Sequence, residues 1–308
     1  MKPFVHFLSV AVLCVACLLS GCGDNPRATA LLSCADSLMA SRPDSALQLL
    51  DSCEAEATVW PESQQMRHRL LQAKARNKAY VPFTSDSVMT VVADYYDRNG
   101  TANEQMEAHY LLGCVYRDLG EAPKALAAYH DAVECADTTA ADCDYALLSR
   151  LHAQMSSLLH RMQLPFEALD EAGIAERMSV LADDSLMLLD SKMLRADAYS
   201  LLGNADSIIT ICEFVCTKYL QYGDTLYSLI SLKPAIAGYI DNSMLDSAKT
   251  AMDAYEHLLT SMPNNIIDSS RKNYYVLKAQ YYLHRHQYDS AFYYNQEANS
   301  FAATPTER

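Results

Sequence analysis

The chain has 308 residues, half of them hydrophobic, and contains only 9 glycines and 10 prolines. This composition can supply a large core, and it is poor in glycine and proline for a disordered chain or a β-sandwich. The formal net charge of -14 disfavours nucleic acid as a partner, because lysine- and arginine-rich surfaces provide most of the affinity for phosphate backbones.

The first 22 residues are typical of an export signal. Lys2 precedes an apolar run from Phe7 to Leu19, which is too short to cross a bilayer comfortably. The following Ser20-Gly21-Cys22 completes a motif that resembles the bacterial lipobox, so residues 1–21 are predicted to be a lipoprotein signal peptide. Lipidation of Cys22 would leave residues 22–26 as a tether, and two or more acyl chains, such as palmitate, anchor a protein stably. An ordinary cleaved signal peptide is the alternative.

A tripeptide, Asp-Ser-Ala, recurs ahead of apolar runs at residues 44–46, 246–248 and 289–291. A period near forty residues, with apolar residues at i, i+3, i+4 and i+7, predicts stacked helical hairpins. We expect each Asp-Ser pair in the first turn of a second helix, where it satisfies free amides and opposes the helix dipole. The small residue beside it would let the two helices of a pair approach closely. The seven anchors, spaced 37 to 43 residues apart, are Ala46, Val88, Ala125, Ala168, Ile208, Ala248 and Ala291.

Residues 107–136 resemble the tetratricopeptide repeat. The matching positions are Leu112, Gly113, Tyr116, Gly120, Ala125, Tyr129 and Ala132. In this register Gly113 permits close helix contact, Tyr129 fills space between helices and Gly120 permits the turn. The resemblance implies an all-α fold, a right-handed α-solenoid of about seven tetratricopeptide-like hairpins over residues 27–303. Pro234 interrupts one apolar run, where it must either start a helix or kink one, and a kink is the preferred interpretation.

The lipobox together with the segments ALLSCADSLMASRPDSALQLLDS, QAKARNKAY and SDSVMTVVADYY resembles tetratricopeptide-repeat lipoproteins of anaerobic Gram-negative, Bacteroidetes-like bacteria. This resemblance implies a lipid-anchored protein of the bacterial outer membrane that faces the periplasm, with the cell surface as the alternative. Some members of the group continue into a membrane helix and a cytoplasmic segment. A truncated sensor of a signalling protein is therefore a further alternative.

Catalytic and metal-binding motifs are not found in the sequence. It has no paired C-x-x-C zinc spacing, phosphate-binding glycine loop, G-x-S-x-G elbow or H-E-x-x-H motif. No catalytic residue, metal or cofactor is predicted, and the chain is not expected to be an enzyme. Cys135 and Cys143 flank a predicted turn and could form a disulfide, although packing as small apolar residues is the usual role of such cysteines.

The first helix of each hairpin is expected to line a concave binding groove. Its mixed and modestly acidic charge suits extended basic or neutral peptides. The predicted groove residues are Tyr110, Cys114, Arg117, Asp118, Arg150, Gln154, Ser157, His160, Asp190 and Asp197.

These observations favour a lipid-anchored envelope scaffold that binds an unidentified peptide or protein. The alternative is a structural or assembly lipoprotein that acts through its last hairpin. There, Tyr275, Tyr281 and Tyr282 have no following repeat to cover them and could form an aromatic contact between copies of the chain.

Overall fold

The computed structural model describes residues 24–262 and 264–301, and the side chains of all of these except 264–269. The predicted signal peptide, the lipidation site Cys22 and the last two residues of the predicted repeat domain lie outside this part. Within it, no helix is both long enough and apolar enough to cross a membrane.

The described residues form fifteen helices and no β-strand. All but the single-turn α3 pair in chain order as seven hairpins, which confirms the predicted all-α fold of tetratricopeptide-like hairpins. The helices are α1 (Pro26–Leu38), α2 (Pro43–Ser52), α3 (Glu54–Ala57), α4 (Glu62–Lys78), α5 (Ser87–Asn99), α6 (Ala102–Asp118), α7 (Ala122–Glu134), α8 (Tyr145–Arg161), α9 (Pro165–Leu181), α10 (Ser185–Leu201), α11 (Ala205–Gln221), α12 (Thr225–Asp241), α13 (Leu245–Thr260), α14 (Asn264–His284) and α15 (Tyr288–Ser300).

The chain divides into two compact units, Met1–Cys143 and Asp144–Arg308. The first, unit 1, contains α1 to α7, and the second, unit 2, contains α8 to α15. Pro234 lies inside α12, whose helix continues beyond it to Asp241.

Unit 2 has a regular period of 40 residues, because α8, α10 and α12 each span 17 residues and begin 40 residues apart. An aspartate precedes each of these helices and caps it. The side chains of Asp144, Asp184 and Asp224 accept a hydrogen bond from the backbone amide three residues later, at 2.8 to 3.0 Å. These three caps restrain the starts of α8, α10 and α12.

Most helix connections turn through one residue in the left-handed region. Gly203 and Gly223 take this conformation without steric cost, at φ 66° and 76°. Tyr80, Gln163, Asp183, Ser243 and His286 take it at φ 53° to 61° despite having a side chain. Next to Gln163, the amide of Leu164 donates to the carbonyl of Leu159 at 3.0 Å. The shape of the connection is therefore set by the ends of the helices, and glycine is not required for it.

The predicted anchors are buried in most pairs. Ala46, Ala125, Ala168 and Ala248 are fully buried, and Ile208 is nearly so. Val88 was wrongly assigned, since it is 48% exposed whereas Met89 is 2% exposed. Helical periodicity places Met89, with residues 92, 93 and 96, on the buried face of α5. Ala291 is half-buried because α15 is the last described helix and packs mainly against α14.

The aspartates of the Asp-Ser-Ala tripeptides lie in the first turn of second helices, as predicted, but do not cap them. Asp44, Asp246 and Asp289 follow N-cap residues that make no side-chain capping hydrogen bond. Their contribution is therefore the favourable interaction of a carboxylate with the positive end of the helix dipole.

Candidate functional site

Two of the predicted groove residues in unit 1 are buried. Tyr110 is 8% exposed and Cys114 is fully buried. The ring of Tyr110 lies 6.1 Å from the ring of Tyr129, whose hydroxyl donates to Cys114 Sγ at 3.6 Å. Since these side chains pack between α6 and α7, they do not line an open groove.

Arg117 and Asp118 hold unit 1 together. Arg117 donates from Nε and Nη2 to Asp118 Oδ1 at 2.9 and 2.8 Å, and from Nη2 to Asn77 Oδ1 at 3.2 Å. Asp118 Oδ2 accepts from the amide of Phe83 at 3.2 Å. These contacts connect the end of α6 to the end of α4 and to the loop that follows it. Both charges are therefore engaged inside the fold.

The six predicted residues in unit 2 lie on α8 and α10, which pack against each other. Arg150 is exposed and makes no ion pair with another described residue, while Ser157 is half-buried. Asp190 and Asp197 occupy the same positions one period later and are exposed. The two helices therefore present a row of polar side chains, here called the polar row, with a basic residue on α8 and acidic residues on α10. The remaining predicted residues of this row, Gln154 and His160, are half-buried.

The two aspartates of this row lie in a partly enclosed setting. Partial desolvation by surrounding protein raises the pKa of Asp190, and the hydrogen bond from Tyr219, at 2.8 Å, lowers it. Desolvation likewise raises the pKa of Asp197, against the influence of His160. Both carboxylates are therefore partly shielded from solvent by neighbouring protein. His160 Nδ1 is buried and has no hydrogen-bond partner among the described residues.

The polar row does not extend to the equivalent positions of α12. Ile230 and Ala237 stand 40 residues after Asp190 and Asp197, and Ile230 is 51% exposed. An apolar side chain at such a position gives a ligand hydrophobic contact, whereas Arg150 and the aspartates give charge recognition.

Sequence reasoning missed an open cleft of about 780 Å³ between α9 and α10. Leu169, Met178 and Leu181 provide apolar walls. Gly173 lies inside α9, where an added Cβ would meet only the end of the Arg177 side chain, at 3.9 Å. The sequence signal that could have located this cleft is Gly173 itself, because a glycine inside a helical pattern indicates a special role and no neighbouring helix requires one here.

A charged cluster forms one side of the same cleft. Glu176 accepts hydrogen bonds from Lys192 and from Arg195, the latter at 2.7 Å. Partial burial raises the pKa of Glu176, but the two cationic donors outweigh burial and hold the pKa below its ordinary value. The cluster links α9 to α10 and keeps the carboxylate ionised.

The predicted aromatic patch of the last hairpin is in a different place. Tyr281 is 2% exposed, and Tyr282 stacks on Tyr294 with ring centroids 5.4 Å apart. Tyr275 also packs against Tyr294, at 5.7 Å. Tyr281 is buried in the core that α14 forms with α12 and α13, whereas α15 packs on α14 and partly covers Tyr275 and Tyr282. The exposed aromatic residues are instead on α15, namely Tyr288, Phe292 and Tyr293.

The disulfide predicted between Cys135 and Cys143 stays a prediction. Cys135 directly follows α7, and Cys143 lies in the loop that precedes α8.

Comparisons with known proteins establish the fold. No family model and no curated protein matches the chain. The structure of apo RapI is similar, with a TM-score of 0.71, 10% identity, and coverage of 91% of this chain and 77% of that one. A Rap protein complexed with competence and sporulation factor has a TM-score of 0.61, 10% identity, and the same coverage. The tetratricopeptide-like repeats of a Podosopora anserina kinesin light chain have a TM-score of 0.52, 12% identity, and coverage of 64% and 95%. The chain is therefore a tetratricopeptide-like helical-repeat protein, and these identities show the fold alone.

Proposed function

We propose that this chain holds an extended peptide, or a segment of a partner protein, against α8 and α10 of unit 2. The observation that carries the proposal is the polar row on these helices, in which Arg150, Asp190 and Asp197 are exposed while neighbouring protein partly encloses the carboxylates. The similar Rap protein whose structure contains competence and sporulation factor supports the proposal.

The chemistry of the row suits a backbone-rich ligand that is basic or neutral. Asp190 and Asp197 can accept from basic side chains or from backbone amides. Arg150 can donate a hydrogen bond to a backbone carbonyl, or two parallel hydrogen bonds to a carboxylate. Helices hold these groups in fixed positions, so binding orders few groups of the protein.

Site-specific photocrosslinking in the cells that make this protein tests whether the row binds a partner. A benzoylphenylalanine placed at Ser157 is expected to give discrete adducts, identified by mass spectrometry, because this residue of α8 lies on the polar row. The same probe at Glu167, an exposed residue of α9, is the matched control. Adducts of equal pattern and yield at both positions would argue against a groove on α8 and α10.

Charge reversal at Arg150 tests the recognition chemistry of the captured peptide. We expect Arg150→Glu to weaken binding about tenfold in a fluorescence-anisotropy titration, because a glutamate cannot donate the hydrogen bonds with which Arg150 would hold a carbonyl of the peptide backbone. Arg98→Glu, the same change at an exposed residue of unit 1, should leave the affinity within about twofold. An unchanged affinity in Arg150→Glu would exclude this row as the site.

A structural or assembly role through α15 is the second candidate. The exposed aromatic side chains of Tyr288, Phe292 and Tyr293 favour it, since clustered apolar surface is typical of protein contacts. A chain that captures no partner at Ser157 but is a dimer by light scattering would support this role. A strict monomer would count against it.

We also propose that acyl chains on Cys22 anchor the chain in the bacterial outer membrane, on its periplasmic face. The support is the lipobox-like sequence before Cys22. Metabolic labelling with an alkyne palmitate should label the wild-type chain and the control variant Cys34→Ala, but not Cys22→Ala. Unlabelled wild-type protein, or labelled Cys22→Ala, would contradict lipidation at this residue.

A further inference from the structure

Three side chains with metal-binding atoms converge where α5 and α7 end beside α6 in unit 1. Asp97 lies in the last turn of α5, His109 in the first half of α6, and Cys135 directly follows α7. One ligand atom of each lies within 4.8 Å of those of the other two. In the described part of the chain, this is the one group of three or more such side chains that could hold a metal ion.

The imidazole of His109 is held in position but incompletely satisfied. Its Nε2 lies 2.8 Å from Asp97 Oδ1, and its side chain is only 13% exposed. Its Nδ1 is buried and has no hydrogen-bond partner among the described residues. A buried polar atom without a partner costs about 1–3 kcal/mol. The imidazole is therefore fixed beside the carboxylate of Asp97, with its hydrogen-bonding capacity only half used.

Negative charge surrounds the thiol of Cys135. The carboxylates of Asp97, Asp131 and Glu134 all lie close enough to interact electrostatically with it. The carboxyl-terminal ends of α5 and α7 add the negative ends of two helix dipoles. A bound cation would compensate this accumulated negative charge.

We propose that Asp97, His109 and Cys135 form a binding site for a divalent transition-metal ion of the zinc type. Carboxylate, imidazole and thiolate are the donors that zinc uses, and its bonds of about 2.0–2.3 Å place neighbouring ligand atoms about 3.3–3.7 Å apart. Closing the site would move ligand atoms by about 1 Å. Asp97, exposed near a helix end, and Cys135, the residue that follows α7, have room to do so.

Three protein ligands leave a further coordination position for water from the exposed side of the site. On binding, the thiol of Cys135 would release its proton to solvent and bind as the thiolate. The ion would join α5, α6 and α7, and would therefore stabilise unit 1. A disulfide between Cys135 and Cys143 would remove the thiolate, so oxidation and metal binding exclude each other.

Metal titration of the full-length reduced chain tests this site. We expect one Zn²⁺ per chain in competition with a fluorescent chelator, and Co²⁺ should give a thiolate-to-cobalt charge-transfer band. We expect each of three substitutions to weaken Zn²⁺ binding by at least about tenfold, namely Asp97→Asn, His109→Ala and Cys135→Ser. Loss of a residue that only orients a metal ligand already lowers metal affinity about tenfold or more, so loss of the ligand itself should lower it at least as much. The matched controls, which change the same residue types nearby, are Asp94→Asn, His130→Ala and Cys143→Ser.

Folding and metal binding are separable in this test. Asp97 is exposed, so Asp97→Asn should fold like the wild type. Added Zn²⁺ should raise the thermal unfolding temperature of the wild type and the three controls, because a ligand that binds only the folded state stabilises it, and should do so less in Asp97→Asn. The proposal is overturned if the wild-type chain takes up no Zn²⁺ or Co²⁺, or if the three ligand variants bind as the controls do.

Discussion

Replacing Gly113 with alanine is expected to lower the free energy of unfolding of unit 1 by about 2–4 kcal/mol, which is at or above the usual cost of overpacking a core. The added Cβ would lie 2.3 Å from Tyr129 Cε1 and 2.4 Å from Cδ1. Tyr129 is fully buried, and its hydroxyl is held by Cys114, so the ring cannot swing aside. The better helix propensity of alanine returns only about 1 kcal/mol.

Urea denaturation followed by circular dichroism measures this cost. Gly203→Ala is the control, because nothing lies within 4 Å of its added Cβ and only its φ of 66° opposes a side chain. It should cost about 1–2 kcal/mol at most. In a Tyr129→Leu background, the cost of Gly113→Ala should fall below about 1 kcal/mol, since the clashing ring is gone. Equal costs in both backgrounds would show that the ring contact does not set the crossing of α6 and α7.

Replacing Arg117 with alanine is expected to destabilise unit 1 by about 2–3 kcal/mol, somewhat below the cost of breaking a fully buried ion pair. The Arg117 side chain is 23% exposed, and that of its partner Asp118 is 17% exposed. The substitution leaves Asp118 with the amide of Phe83 and removes the contact to Asn77. Arg150→Ala should change stability by less than about 0.5 kcal/mol, because this exposed side chain makes no ion pair with a described residue.

Comparison with Arg117→Lys distinguishes geometry from charge in this cluster. Lysine keeps the positive charge but cannot supply the fork that reaches Asp118 and Asn77 together, so it should recover less than half of the lost stability. Thermal unfolding at low and moderate salt measures each variant. Full recovery by lysine, or a similar loss in Arg150→Ala, would contradict a structural role that is specific to Arg117.

The fold was largely predictable because its signal is local. Apolar spacing and the positions of Gly113, Ala125 and Tyr129 follow from the contacts within one hairpin, and the structure confirms them. Connections were less predictable, since residues such as Ser243 adopt the left-handed conformation without being glycine. There, the ends of the helices determine the backbone.

The candidate sites were only partly predictable. Tyr110 and Arg150 were both predicted to line the groove, yet one is buried and the other exposed. The neighbouring helices determine which side chains of a first helix remain exposed to a ligand. The sequence of a single hairpin does not contain that information. For the same reason the group of Asp97, His109 and Cys135 could not be predicted from the sequence, because its three residues lie on different helices and match no metal-binding motif.

The sequence by itself determined the helical hairpin, its forty-residue period and the small residues at several crossings, because these arise from interactions between residues close in the chain. Only the tertiary structure decided that Arg117 stabilises the fold, that helix packing buries Tyr281 and half-buries Tyr275 and Tyr282, and that three helices bring metal-binding side chains together. Those outcomes depend on contacts between separate helices, where a shift of one residue along a helix turns a side chain by about 100°.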